Sequence, residues 1–144
     1  MTGSSASWQV WALLSAAFAA LTAILAKVGV GDIHPDLATF VRTVVVVVVL
    51  GGILLLTHRI EPSGGLSARS LVFLTLSGLA TGASWVCYFR ALKIGQASQV
   101  APIDKLSVVF VAAFGALFLG ERLSALNWLG IALIAAGAVL VASR

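Results

Sequence analysis

Charge is what this chain has least of. Only 10 % of its 144 residues are Asp, Glu, Lys or Arg, against 60 % apolar, and the mean hydropathy is +1.10. Soluble domains carry about a quarter charged residues, so a surface facing water could not be covered with so few. The one cysteine, Cys87, excludes an intrachain disulfide and any cluster of thiolate ligands. It reads as a small apolar residue inside a helix. The two histidines, His34 and His58, lie far apart in polar segments, without the HxxxH spacing of a helical metal site. No GxSxG, no P-loop and no cluster of carboxylates on one helix occurs. These absences argue against an enzyme, a metal centre and a cofactor. A net charge of +4 would suggest nucleic acid in a soluble protein. Here the cations stand singly at the ends of apolar runs, so the bilayer is the expected partner and nucleic acid is not.

What is present is long apolar sequence. A hydrocarbon core of about 30 Å needs around 20 helical residues at 1.5 Å each. Five stretches meet this requirement, at about residues 8–28, 37–57, 68–92, 100–119 and 125–142. The second includes six consecutive valines at 44–49, poor helix formers in water that lipid forces to bond internally. Gly29, Gly31, Asp32, His34, Pro35 and Asp36 form the first turn, and residues 58–67, with Glu61, Pro62 and Gly64-Gly65, the clearest loop. Gly120 suits the C-cap of the fourth helix, and Ser124 with Asn127 the N-cap of the fifth. Residues 1–7 lack the basic start of a signal peptide, and 8–26 run longer than its apolar region, so the first helix is expected to stay. All 144 residues read as a single all-α integral membrane domain of five transmembrane helices.

Small residues recur four apart. Gly78 and Gly82 form a GxxxG on the third helix, and such spacing suits either a specific dimer face or close intrachain packing. An odd number of spans puts the ends on opposite sides. One side then holds Arg59, Arg69 and Arg122. The other holds Lys27, Arg90, Lys93, Lys105 and Arg144, with Arg42 toward the same end. The bias is weak under the positive-inside rule. Taken literally it puts the C-terminus in the cytoplasm, and its small margin also permits insertion both ways.

Residues 88–140 carry a resemblance to a known family. Ala91-Leu92-Lys93, Ala97-Ser98, Ala101-Pro102 and, above all, Phe118-Leu119-Gly120-Glu121-Arg122-Leu123 resemble the EamA domain of the drug/metabolite transporter superfamily, with Trp128-Leu129-Gly130 and Gly137 following. Lys27 and Arg42-Thr43 look like the short, single-domain branch. Typical members have ten helices in two five-helix repeats of inverted topology. The resemblance therefore implies a five-helix bundle equivalent to one repeat, in the inner (plasma) membrane, completed by an antiparallel second copy. It implies transport of a small-molecule substrate by alternating access. A flippase for a lipid-linked or amphipathic metabolite and a non-transporting membrane subunit or scaffold are the competing readings.

The candidate functional residues are charges and aromatics near or inside the hydrocarbon, where a charge costs at least about 2.5–3.5 kcal/mol on insertion scales. Arg42, about 9 Å by helical rise beyond the turn, could bind an anionic substrate group, pair with Asp104, or snorkel to the headgroups. For Asp104 and Lys105 two settings are open. If Pro102 starts the fourth helix, Asp104 complements the helix dipole. If the helix starts near Ser98, Pro102 interrupts its hydrogen bonding and Asp104 lies in the membrane, where a carboxyl can exchange protons and couple transport to a gradient. Trp85 and Tyr88 share one helix face and would wall a cavity for an amphipathic or cationic substrate, or belong to an interfacial belt. Lys27 reads as an interface anchor, and Glu121 as an acceptor for backbone N–H groups at the start of the fifth helix.

Overall fold

A computed structural model describes residues 8–57 and 67–143. The loop expected at 58–67, Ser67 aside, and the terminal Arg144 fall outside the described residues, as do His58 and Arg59. Among the described residues six α-helices follow one another: α1 (Trp8–Gly29), α2 (Pro35–Leu56), α3 (Ala68–Ile94), α4 (Ala97–Asp104), α5 (Ser107–Phe118) and α6 (Ala125–Ala142). No strand occurs among the described residues. With α4 and α5 taken as one stretch (Ala97–Phe118), five segments are long and apolar enough to cross a membrane. The fold is all-α and membrane-spanning. The chain divides into two compact units, Ala26–Lys93 and Met1–Leu25 with Ile94–Arg144.

In the unit Ala26–Lys93 the second helix begins at Pro35, so Pro35 and Asp36 belong to the helix rather than to the turn in which they were expected. The local chemistry explains the start. His34 is extended at the N-cap, and its Nδ1 accepts from the Asp36 N–H at 3.3 Å. Pro35 follows at the first helical position, where its missing N–H costs nothing and its φ is already set. Asp36 puts a negative charge in the first turn, at the positive end of the helix dipole. Farther in, threonines donate to the carbonyl one turn back: Thr39 to Pro35 O at 2.9 Å and Thr43 to Thr39 O at 2.8 Å. A hydroxyl satisfied within its own helix can face hydrocarbon without an unpaired polar group.

Burial in this unit gathers where α1 ends, α2 begins and α3 ends. Ala26, Val30, Ala38, Thr39, Phe89 and Leu92 are buried, Leu92 completely. The valines of 44–49 and the leucines of the first half of α3 are exposed. In lipid those side chains need no protein cover. Gly78 and Gly82 lie on that exposed part of α3, where a Cβ would meet no atom of the described residues within 4 Å beyond the helix's own backbone.

In the other unit α4 and α5 pack on α6. The fourth span starts at Ala97, not at Val100 or Pro102, and it is not one continuous helix. Pro102 sits inside α4. It offers no N–H to the carbonyl of Ser98, and its ring crowds that carbonyl. Two residues later α4 stops, and the chain crosses to α5 through tighter i→i−3 bonds. Leu106 N bonds Ile103 O, Val108 N bonds Lys105 O and Val109 N bonds Leu106 O, each at 3.0 Å.

At the far end of α5, Gly120 adopts φ +69°, the left-handed conformation that glycine alone enters freely. The Gly115 carbonyl accepts from both Leu119 N and Glu121 N at 3.1 Å. The side chain of Glu121 folds back over Gly115, where a Cβ would lie 2.7 Å from its carboxylate oxygen. The cap of α6 is Ser124, whose Oγ accepts from Asn127 N at 3.2 Å. Glu121 was expected in that capping role; instead it covers a glycine.

Candidate functional site

The unit Ala26–Lys93 joins α2 to α3 by two polar rungs. Near the helix ends, Arg90 holds the Asp36 carboxylate with both arms, Nε to Oδ1 at 3.0 Å and Nη2 to Oδ2 at 2.9 Å. This fork-to-fork pairing fixes direction as well as distance. Six residues farther along α2 comes Arg42, and five residues back along α3 comes Trp85, about 9 and 7.5 Å by helical rise. These steps match, so the second rung forms: the Arg42 guanidinium carbon lies 3.5 Å from the centre of the Trp85 ring. Tyr88 meets Trp85 edge to face, centroids 5.4 Å apart at 79°, and Phe89 closes the group at 5.9 Å. Arg42, Trp85 and Tyr88 are half-buried, and Phe89 is buried.

Of the expected site residues, the structure thus brings Arg42, Trp85 and Tyr88 together. The Arg42 cation lies over the Trp85 indole. Trp85 lies nine residues before the end of α3, about 13.5 Å by rise, against a half-thickness of about 15 Å for the hydrocarbon.

Sequence reasoning missed the polar ring beyond these rungs. Lys93 donates to the carbonyls of Val30, Gly31 and Ile33, the oxygens left open where α1 ends. Lys27, at the end of α1, donates to Leu92 O at 2.5 Å, near the end of α3. Each helix therefore sends a cation to the negative C-terminal end of the other. Lys27, expected as an anchor in the membrane interface, is half-buried and also bonded to protein. Only the clustering of Lys27, Arg90 and Lys93 at one membrane edge hinted at this. Their acceptors are carbonyls, which leave no trace in a sequence.

Asp104 and Lys105 sit at the break of the fourth span and pair with each other, Nζ to Oδ2 at 3.2 Å. Beside them a groove of about 400 Å³ is lined by Lys105, Ser107, Val108, Val111 and Ile134. An interrupted membrane helix with ionisable residues at the interruption is the arrangement by which transporters expose backbone and charge to a cargo.

The described residues form a polytopic helical membrane protein with one interrupted span. The EamA-like transporter family profile matches residues 6–143, and the chain belongs to that family. A Sinorhizobium sp protein named "Uncharacterized transporter in cobO 3'region" is 61 % identical over 138 residues, covering 96 % of this chain and 98 % of the relative. No solved structure matches. The chain is a multi-pass membrane transporter of the drug/metabolite type.

Proposed function

We propose that the chain carries a small molecule across the inner (plasma) membrane by alternating access, as an antiparallel homodimer. The observation that carries this reading is the discontinuous fourth span. Transport needs a region where helix can yield and polar groups can meet cargo, and Pro102, Asp104 and Lys105 supply both there. Arg42, Trp85 and Tyr88 are the remaining residues that the substrate would meet. Five spans make one repeat, and an odd repeat needs a partner inserted upside down to form the inverted pair. The weak charge bias supports insertion both ways.

Reporters active only in the cytoplasm or only in the periplasm, fused after Arg144, test the assembly. Comparable signal from both is the expected result. Signal from one alone rejects the antiparallel homodimer and calls for another chain as the inverted half, or for a non-transporting subunit.

Proton coupling is assigned to Asp104, the carboxylate at the break. Asp104→Asn is expected to abolish the response of uptake or efflux to a pH gradient while leaving thermal unfolding in detergent within about 2 °C of wild type, as for a substitution at a partly exposed site. A response equal to that of the wild type removes Asp104 from the coupling.

A further inference from the structure

The cations where α1 and α3 end in the unit Ala26–Lys93 are matched to oxygens. Lys27 and Lys93 have backbone carbonyls, and Arg90 has the carboxylate of Asp36. Arg42 has an aromatic face and, among the described residues, no hydrogen-bond or ion-pair partner. It is also the cation set deepest from the helix ends, about 9 Å beyond Asp36 by rise. A guanidinium stacked on indole is held by the face of its plane, while its N–H donors point outward in that plane. Those edges match a carboxylate or phosphate with two parallel bonds. Leaving five donors unmet in hydrocarbon is unfavourable, so the stack presents a donor set that lacks an acceptor.

The same contact argues for a different substrate class from the cationic one that Trp85 and Tyr88 suggested in the sequence. An aromatic wall of Trp85 and Tyr88 suited a cationic substrate, drawn to the ring face. That face is already covered by Arg42 at 3.5 Å, and a second cation would meet its repulsion. An anion meets attraction from Arg42, and the edges of Tyr88 and Phe89 beside it offer apolar contact for the rest of the molecule.

We infer that the Arg42–Trp85 stack is an oxyanion-recognition site and that the cargo is a small organic anion with an apolar body, held by its carboxylate or phosphate group. This deepens the transporter reading and rests on it. The anion is taken as free solute; a lipid headgroup presents the same chemistry and is the alternative source that the experiment separates.

The test measures binding to the full chain in nanodiscs of phosphatidylcholine, using three ligands of one shape: 3-phenylpropionate, 3-phenylpropionamide and 3-phenylpropylammonium. The carboxylate is expected to bind at least tenfold more tightly than the amide, with the ammonium weakest. Arg42→Gln should erase the preference for the carboxylate. Arg42→Lys, which keeps the charge but loses the fork, should weaken carboxylate binding about tenfold. Because the ligand ranking is read in the wild type, a variant that fails to fold leaves the test intact. Equal binding of acid and amide, or a preference for the ammonium, overturns the proposal. In nanodiscs of phosphatidylglycerol, carboxylate binding should persist. Its loss there, with phosphatidylglycerol copurifying with wild type but not with Arg42→Gln, would overturn the free-solute assignment in favour of a headgroup site. Binding requires neither movement nor a given orientation, so failure here leaves the reporter experiment to judge the transport assembly separately.

Discussion

Lys93→Met is expected to cost about 1.5–3 kcal/mol of stability, the range for hydrogen bonds to a charged group, and to lower the unfolding temperature in mild detergent by several degrees. The substitution keeps most of the apolar stem and removes only the ammonium that meets the carbonyls of Val30, Gly31 and Ile33. Those oxygens lie just past the end of α1, and the bonds to Gly31 and Ile33 are exposed, so water offsets part of the loss and the lower end of that range applies. The rival account is that Lys93 is an interfacial anchor, which any cation would satisfy. Lys93→Arg separates the two. A planar guanidinium cannot bring one nitrogen onto three converging carbonyls as an ammonium does, so the arginine variant should lose most of what the methionine variant loses. Wild-type stability in the arginine variant would make Lys93 an anchor. Because Lys27 ties the same two helix ends from the other side, adding Lys27→Met should show coupling of about 0.5–3 kcal/mol rather than simple addition. Thermal unfolding of the four proteins of that cycle checks it.

This polar ring also marks where reading the sequence stops. The spans were legible because length and hydropathy alone decide whether a helix crosses lipid; the five apolar stretches needed no tertiary knowledge. Gly120 was legible as a cap because only glycine takes its backbone conformation freely. The charges were visible too, but not their partners. Asp36 stood in a glycine-rich turn and Arg90 near a membrane edge, and their pairing depends on the register of α2 against α3, which apolar sequence does not specify. Glu121 is a related case. Six residues after Gly115, it reads as a cap for the next helix, yet the left-handed Gly120 turns the chain back so that its carboxylate covers that glycine. Arg42 and Trp85 were each singled out for their chemistry. That they meet, the guanidinium over the indole, follows from the matched steps along α2 and α3 and could not be read from either residue alone.

Pro102→Ala is expected to join α4 and α5 into one helix. The alanine restores an N–H opposite the Ser98 carbonyl and removes the ring that crowds it, against a proline cost of about 3 kcal/mol in an ordinary helix interior. Part of that cost is already relieved by the i→i−3 bonds that carry the chain past Lys105, so a gain of about 1.5 kcal/mol is the reasonable expectation. It should appear as roughly tenfold slower amide hydrogen exchange at Leu106, Ser107 and Val108 in nanodiscs, with little change in α6. Exchange there equal to wild type would mean that the break is imposed by packing of α4 and α5 on α6 rather than by the proline. The functional consequence has the opposite sign. If the break is the joint at which the fourth span yields, the healed helix should be more stable and transport at least tenfold slower, with the cargo still bound at Arg42. Undiminished transport through a protein whose exchange has slowed would separate the break from the transport cycle and move the moving part to another span.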